Sequence, residues 1–285
     1  MIPAAFTYER ASTLDDAIAR LAASGGDAKL LAGGHSLLPL MKLRLAAPAH
    51  LIDIGRIPGL SGIRAVDGGI EIGAGTVHHE VATSALVRAT CPAVADAAAS
   101  IGDVQVRHRG TLGGSLAHAD PSADYPAALL AAEGTVHVQG PRGARTIRSA
   151  DFHTGLFSVD LSRDEIIVAV RIGAARASAY EKLYQRASHF AIVGVAASLD
   201  LSAGHIVRAR IGLTGVASCP RRLAGVEASL EGQPATGATF AGATARAADE
   251  LDDVAGDLHA SEAYRRAMVG VFVQRALRAA LARAS

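Results

Sequence analysis

The stretch Gly110-Thr-Leu-Gly-Gly-Ser115 sets two adjacent glycines between hydroxyl side chains, inside a segment where no single helix or strand fits residues 101–124. Adjacent glycines let a backbone approach a ligand closely, and successive N–H groups can then point at one place. Neighbouring hydroxyl groups add donors, and this combination suits a phosphate or pyrophosphate. We therefore interpret residues 101–124 as a loop-rich functional segment carried on a scaffold of regular structure.

A second stretch, Ala32-Gly-Gly-His-Ser36, has the same character. It directly follows Lys29–Ala32, which we predict to be a short buried strand. One Gly-Gly pair is more often a tight turn than a binding site. Two such stretches, each with a hydroxyl neighbour and each beside an apolar strand, favour a site for a dinucleotide.

Two common nucleotide-binding motifs are absent from the sequence. Gly73-Ala-Gly75 begins a GxG, but His78 stands where the third glycine of the Rossmann fingerprint belongs. The chain also lacks the glycine-rich lysine motif of P-loop NTPases. A dinucleotide bound by this chain is therefore expected on a fold other than the Rossmann fold.

The composition is that of a globular protein. Of 285 residues, 50% are apolar and 19% are charged, which predicts one or two domains with a large core. A net charge of +1 gives no global field that would attract nucleic acid or an anionic membrane. The N-terminus lacks the features of a signal peptide, and the longest apolar run, near Phe190–Leu199, is too short to span a membrane. We therefore expect a cytoplasmic protein with no membrane segment.

The cysteine count limits the redox groups that this chain can hold. Cys91 and Cys219 are its two cysteines, and they cannot make a disulfide framework. An iron–sulfur cluster ligated by cysteine alone needs four thiolates. The sequence therefore predicts that any such cluster lies on another chain.

The polar residues near position 120 have a structural explanation as well as a chemical one. His118, Asp120 and Asp124, with His108, can be imagined as metal ligands, but no regular element brings them together by spacing alone. A turn at Asp120 and a helix cap at Asp124, for a helix reaching Ala131, explain the acidic residues without a metal. We therefore predict no metal site.

The first part of the chain mixes strands with helices. Asp67-Gly-Gly69 predicts a hairpin between strands at Ile63–Val66 and Ile70–Ala74, and Pro92 opens a helix that ends near Ser100. Strands resume at residues 135–139 and 165–172. The order lacks the regular βαβ alternation of a parallel sheet, which favours an α+β fold.

A second region begins near Ala179. Residues 190–201 and 206–216 predict an antiparallel hairpin joined by Ser202-Ala-Gly204, and helices follow it. The last helix begins after Ser261 and carries Tyr264, Met268 and Val271 on one apolar face. We predict one domain over residues 1–178, with subdomains of about 1–55 and 56–178, and a smaller α+β domain over 179–285.

Together, the two glycine stretches resemble the FAD loops of one family, the medium, FAD-binding subunits of molybdenum hydroxylases. Aerobic carbon monoxide dehydrogenase and multi-subunit xanthine dehydrogenase-like enzymes contain such a subunit. The resemblance covers the whole chain and is carried by Lys29–Pro39, Met41-Lys42, Gly102–Arg107, Gly110–Ser115, Ala119–Asp124, Tyr180–Ile192, Asp257–Ser261 and Tyr264–Arg266. It implies a two-subdomain, non-Rossmann FAD-binding fold followed by a smaller α+β domain with an antiparallel sheet and helices.

The resemblance also implies a set of cofactor-binding residues. In chain order these are Ala32, Gly33, Gly34, His35, Ser36, Ile101, Gly102, Thr111, Leu112, Gly113, Gly114, Ser115, Asp124, Lys182 and Phe190. The two glycine stretches would wrap the pyrophosphate, Ile101 and Gly102 would line the flavin pocket, and Asp124 would lie near the phosphate–ribitol region.

Lys182 and Phe190 match family positions close to the isoalloxazine ring. A cation there stabilises anionic reduced flavin, and an aromatic side chain shields a ring face. The sequence departs from the family at His189, where an acidic residue usually precedes the aromatic one. His189 therefore either tunes the flavin or faces solvent. No residue of this chain is expected to act on the organic substrate.

The implied function is electron transfer within a molybdenum-containing dehydrogenase. FAD on this chain would take electrons from 2Fe–2S clusters on a small subunit, and a large subunit would hold the molybdenum cofactor, in a dimer of heterotrimers with an exposed apolar interface. The alternatives are a free-standing FAD-dependent oxidoreductase, a non-catalytic nucleotide-binding assembly module, and two chance Gly-Gly turns. The sequence does not choose the substrate or the electron acceptor.

Overall fold

The structure is a computed structural model that describes residues 2–284. Its first elements are strands β1 (Thr7–Arg10), β2 (Ala28–Leu31) and β3 (His50–Asp53), with helices α1 (Leu14–Ala23) and α2 (Leu37–Lys42). The strands form a parallel sheet in the order β1-β3-β2. Because β2 ends at Leu31 and α2 begins at Leu37, the first glycine stretch connects a sheet strand to a helix.

The next region surrounds a mixed core of sheet and helices. Its strands are β4 (Ile63–Val66), β5 (Gly69–Gly73), β6 (Thr135–Gly140), β7 (Gly143–Arg148), β8 (His153–Gly155), β9 (Ser158–Val159) and β10 (Ile166–Gly173). Its helices are α3 (His78–Thr83), α4 (Ala85–Thr90), α5 (Pro92–Ser100), α6 (Val104–Arg107), α7 (Leu112–His118), α8 (Tyr125–Ala131) and α9 (Ser149–Phe152). The antiparallel sheet has the order β4-β5-β10-β6-β7, and β8 pairs with β9.

The last region contains a second antiparallel sheet. Its strands are β11 (Ser178–Tyr184), β12 (Ala191–Ser202), β13 (His205–Thr214) and β14 (Arg221–Arg222), paired in that order. Its helices are α10 (Ala224–Leu230), α11 (Gly237–Thr244), a 3-10 turn (Ala247–Glu250) and α12 (Glu262–Leu281). The hairpin of β12 and β13, the hairpin of β4 and β5, and the helix from Pro92 to Ser100 are as the sequence predicts. The α+β fold is confirmed.

Residues 101–124 are rich in loops and turns, as predicted, but they also contain the short helices α6 and α7, and the second glycine stretch forms the start of α7. The predicted helix cap at Asp124 is wrong. Asp124 precedes α8 but makes no side-chain cap, since its carboxylate is bonded elsewhere. The sequence spacing gives no sign of that distant partner.

The buried face of α12 also differs from the predicted one. Tyr264 and Val271 are exposed, whereas the buried side chains include Val269, Phe272 and Arg265. Arg265 reaches inward because its guanidinium donates to the carbonyl oxygen of Ile192, at 2.7 Å, and to that of Gly215, and it pairs with the Asp257 carboxylate. A sequence pattern assigns a charged residue such as Arg265 to the exposed face of a helix, because it does not show the distant acceptors that allow the charge to be buried. Within residues 2–284, no helix is long and apolar enough to cross a membrane.

A part-buried histidine in this fold predicts acid sensitivity. Within residues 2–284, His153 Nε2 is buried without a hydrogen-bond partner, beside Phe152 and Leu116, in a space too small for a water molecule. Burial lowers the pKa of His153 from 6.5 to about 4. Between those pH values His153 binds a proton in the unfolded chain but not in the folded chain, so the free energy of unfolding falls as pH falls.

The expected loss from His153 alone is about 3 kcal/mol between the two pH values, at about 1.4 kcal/mol per unit. In urea unfolding at a series of pH values, His153→Leu should lose about 3 kcal/mol less than the wild-type chain over this range. Parallel pH profiles for the two chains would show that His153 is charged or solvated in the fold.

Candidate functional site

The two glycine stretches meet in space. A Cβ atom on Gly33 would lie 2.1 Å from the carbonyl oxygen of Arg109 and 2.8 Å from the Cα of Gly110. No side chain other than hydrogen fits such a contact, so glycine at position 33 allows the end of β2 to touch the connection between α6 and α7. We call residues 33–36 and 110–115 together the cradle.

The first half of the cradle offers free donors. Gly34 adopts a φ of 76°, a left-handed conformation that favours glycine. Among residues 2–284, no protein acceptor faces the backbone N–H groups of Gly34, His35 and Ser36, and the Ser36 hydroxyl does not cap α2. The His35 ring packs back on its own turn, with Nδ1 3.0 Å from the Gly33 carbonyl oxygen. This turn therefore presents three backbone N–H groups that the described part of the chain does not use.

The second half of the cradle, residues 110–115, does not offer the successive free N–H groups that the sequence predicts. The N–H groups of Leu112 and Gly113 donate to the carbonyl oxygens of Thr76 and Ala74, at 3.0 and 2.8 Å. Those of Gly114 and Ser115 donate to the hydroxyl and carbonyl oxygens of Thr111. Because the first turn of α7 uses these groups, a ligand finds few free backbone donors there.

What this half does offer is a hydroxyl group and space. Within the described chain, the Ser115 hydroxyl has no hydrogen-bond partner. A Cβ atom on Gly114 would meet only the Thr111 hydroxyl oxygen within 4 Å, at 2.8 Å. The surface over Gly114 is otherwise open, so it can receive a ligand group held by the donors of residues 34–36.

His78 packs against Gly110 of the cradle from the protein interior. Its ring is buried, with Nδ1 3.1 Å from the Tyr125 hydroxyl oxygen, and a Cβ atom on Gly110 would lie 2.6 Å from its Nε2. Burial, with smaller effects of the His35 and Arg107 charges, lowers the pKa of His78 to about 4. His78 is thus a neutral packing residue at neutral pH. The sequence pattern gave no signal for this role, because it depends on contacts with residues far along the chain.

Asp124 and Lys182 form a buried ion pair. Lys182 Nζ lies 2.8 Å from Asp124 Oδ1, and the two side chains are only 5% and 6% exposed. The Tyr180 hydroxyl donates to the same oxygen at 2.6 Å. Burial raises the pKa of Asp124, while the Lys182 charge and the Tyr180 hydroxyl oppose this by favouring the carboxylate. Asp124 therefore acts as an anchor for β11.

Lys182 joins two further segments. Its ammonium donates to the carbonyl oxygens of Ser100 and His189, both at 2.7 Å. An ammonium has three N–H bonds, and Asp124, Ser100 and His189 take all three. The cation is therefore committed to the protein and connects the end of α5 with the turn between β11 and β12.

His189 completes this connection. Its backbone has a φ of 60°, and its ring Nδ1 lies 3.0 Å from the Gly102 carbonyl oxygen, where it donates as an N–H. The ring also packs edge-on against Tyr184. His189 is part-buried and fastens the turn to the 101–102 segment, so it does not simply face solvent.

The segment around Gly102 is held from the other side as well. Arg107 Nη1 donates to the carbonyl oxygens of Ile101 and Gly102, at 2.9 and 3.1 Å. Phe190, directly after His189, is 50% exposed. An exposed aromatic ring beside a tightly held loop is available to cover a planar ligand.

These features fit FAD. The donors of residues 34–36 with the Ser36 and Ser115 hydroxyls suit a pyrophosphate, and the open surface over Gly114 leaves room for it. Residues 101–102 and Phe190 form a second, separate set that Lys182 and His189 hold together. A flavin dinucleotide has both a pyrophosphate and a planar ring system, one for each set.

Comparison with known proteins decides the family. The model of the FAD binding domain in molybdopterin dehydrogenase matches residues 4–175. The model of the CO dehydrogenase flavoprotein C-terminal domain matches residues 178–280. The chain belongs to the FAD-binding medium subunits of the molybdenum hydroxylases. It is thus an FAD-binding subunit of an oxidoreductase.

Members of this family with similar sequences serve different enzymes. The carbon monoxide dehydrogenase medium chain of Hydrogenophaga pseudoflava is 42% identical over 99% of both chains. Subunit alpha of the 6-hydroxypseudooxynicotine dehydrogenase complex of Paenarthrobacter nicotinovorans is 37% identical, covering 100% of this chain and 97% of that one. A solved structure of carbon monoxide dehydrogenase from H. pseudoflava, lacking the Mo-pyranopterin moiety of its cofactor, matches with a TM-score of 0.95 and 43% identity over 99% of both chains.

Proposed function

We propose that this subunit passes electrons from 2Fe–2S clusters on a small partner subunit, through its FAD, to an external acceptor. A large partner subunit would hold the molybdenum cofactor and oxidise the substrate. The observation that carries the proposal is the match to a carbon monoxide dehydrogenase medium chain over 99% of both sequences. The two cysteines agree with it, because they are too few for a cluster ligated by cysteine alone.

In this proposal the chain binds and orients the cofactor. The N–H groups of Gly34, His35 and Ser36 and the Ser36 and Ser115 hydroxyls would hold the pyrophosphate. Residues 101–102 and Phe190 would enclose the isoalloxazine ring. Bound FAD supplies a carrier that accepts electrons one at a time and delivers two.

The remaining proposed site residues have supporting roles. Gly33 lets the two halves of the cradle touch, and Thr111 caps α7 through the Gly114 N–H. Asp124 and Lys182 fix the turn that carries Phe190. Ala32, Leu112 and Gly113 complete the two glycine stretches. No side chain of this chain is proposed to act on the organic substrate, and no metal is proposed to bind it.

An exposed apolar surface supports the assignment of partners. Ile2, Leu43 and Leu45 are each more than half exposed, and Arg44 Nε ties the chain around Ile2 to this region by donating to its carbonyl oxygen. The surface continues from α2, which begins directly after the cradle. Partner proteins commonly cover such surfaces. We propose a dimer of heterotrimers in the cytoplasm, with a domain division in this chain near residue 178.

An absorbance spectrum of the natively purified protein, with the subunit composition of the same preparation, tests the proposal. We expect flavin bands, iron–sulfur absorbance and two additional chains. Flavin on a lone chain that substrate reduces would instead indicate a free-standing oxidoreductase. A colourless chain that takes up no added FAD would contradict every assignment made to the cradle.

A further inference from the structure

An open groove of about 370 Å³ lies on the side of the fold where α4, α5, the segment after β10 and the end of α12 meet. Its lining residues are Arg88, Ala89, Pro92, Asp96, Arg176 and Arg283. We call it the arginine groove. Nothing in the proposed electron-transfer function uses it, since none of these residues belongs to the cradle or contacts Lys182.

The arginine groove carries uncompensated positive charge. Arg283 is neutralised locally, because its guanidinium pairs with both Asp96 oxygens, at 2.6 and 3.2 Å, and donates to the Ser178 carbonyl oxygen. Among residues 2–284, the guanidinium groups of Arg88 and Arg176 have no hydrogen bond or ion pair. Three guanidinium groups against one carboxylate leave a charge of +2 facing the groove.

The chemistry of these groups selects a class of ligand. A guanidinium group presents a planar fork of donors that matches the oxygens of a phosphate group in pairs. A net charge of +2 matches the charge of about −2 on a phosphate monoester near neutral pH. The volume lies in the range of roughly 300–1,000 Å³ that small-molecule sites occupy, so there is room for more than a phosphate group alone.

The arginine groove is separate from the flavin-lining segment. Pro92, at its edge, is the first residue of α5, and Ser100, whose carbonyl oxygen binds Lys182, is the last. Nine helical residues span about 13 Å. Asp96, the groove residue nearest to this segment along α5, precedes Ser100 by four residues, a rise of about 6 Å, so the groove opens toward the end of α5 opposite to residues 101–102.

We propose that the arginine groove is a second binding site, for a small phosphorylated molecule held by Arg88 and Arg176. Arg283 and Asp96 form its fixed wall, and Ala89 and Pro92 provide an apolar edge for the rest of the ligand. The site lies between α5 and the end of α12, so its occupant would contact both parts of the chain.

The test measures the binding of inorganic pyrophosphate to the full chain by isothermal titration calorimetry. The cradle also suits pyrophosphate, so it is first blocked by Gly114→Val, or in a second background by Ser36→Asp, which removes a hydroxyl donor and places a negative charge beside the free N–H groups of residues 34–36. Both backgrounds are checked for folding by circular dichroism. The result does not depend on whether the cradle holds FAD.

We expect saturable binding of pyrophosphate in both backgrounds. Arg88→Ser and Arg176→Ser should each raise the Kd at least about tenfold, the factor that corresponds to the loss of about 1.4 kcal/mol. Arg56→Ser, at an exposed arginine outside the groove, is the matched control and should leave the Kd unchanged. Absent binding in both backgrounds, or binding that the two groove variants leave intact, would overturn the proposal.

Discussion

Gly114→Val is expected to abolish the retention of FAD, the largest effect of any single substitution considered for this chain. The space over Gly114 is open apart from the Thr111 hydroxyl, and the free donors of residues 34–36 converge on the same cradle. A β-branched side chain would occupy the volume that a phosphate oxygen needs. The measurement is the ratio of flavin to protein after purification and again after incubation with excess FAD.

The fold should survive this substitution. The added Cβ would press on the Thr111 hydroxyl, which caps α7, and losing such a cap costs about 1 kcal/mol. Gly242→Val is a matched control, because Gly242 is a helical glycine with nothing within 4 Å of an added Cβ. The control should keep its FAD. Stoichiometric FAD in Gly114→Val would remove the second glycine stretch from the site.

Lys182→Met is expected to lower the free energy of unfolding by about 3–5 kcal/mol, the usual effect of removing one partner from a buried ion pair. The substitution leaves the Asp124 carboxylate buried without its cation, and it leaves the carbonyl oxygens of Ser100 and His189 without their donor. Urea unfolding of the purified chain gives the change directly.

The same substitution should also weaken FAD binding. The resemblance to the family placed the Lys182 cation beside the flavin ring, where its loss would shift the flavin potential and leave binding nearly intact. The contacts now favour a positioning role, because Lys182 holds together the segments that carry Gly102 and Phe190. We therefore expect a higher Kd for FAD together with lower stability.

A double variant separates the two expected effects of Lys182→Met, the loss of stability and the weaker FAD binding. In Lys182→Met with Asp124→Asn, the uncompensated charge is gone, so part of the lost stability should return while FAD binding stays weak. Unchanged stability in Lys182→Met with a shifted flavin potential would contradict the positioning role. It would put the ammonium group back beside the ring.

Local features of the fold could be predicted because they depend on neighbouring residues. Asp67-Gly-Gly69 forces a hairpin, Pro92 starts α5, and Ser202-Ala-Gly204 joins β12 to β13. The helical start of α7 was missed, because glycines at 113 and 114 weaken a helix that is kept by the Thr111 cap and by bonds to residues 74 and 76. Such tertiary bonds override the local pattern.

By itself, the sequence determined the α+β class, the two glycine stretches, the exclusion of Rossmann and P-loop sites, and the resemblance to FAD-binding medium subunits. Only the tertiary structure decided how these parts work together. It places Gly33 in contact with Arg109 and leaves the backbone N–H groups of residues 34–36 without a protein acceptor in the described chain. It also fixes Lys182 between Asp124, Ser100 and His189. The physical reason is that residue type and spacing set local conformation, whereas the partner of a buried charge or free N–H group depends on which distant segments pack around it.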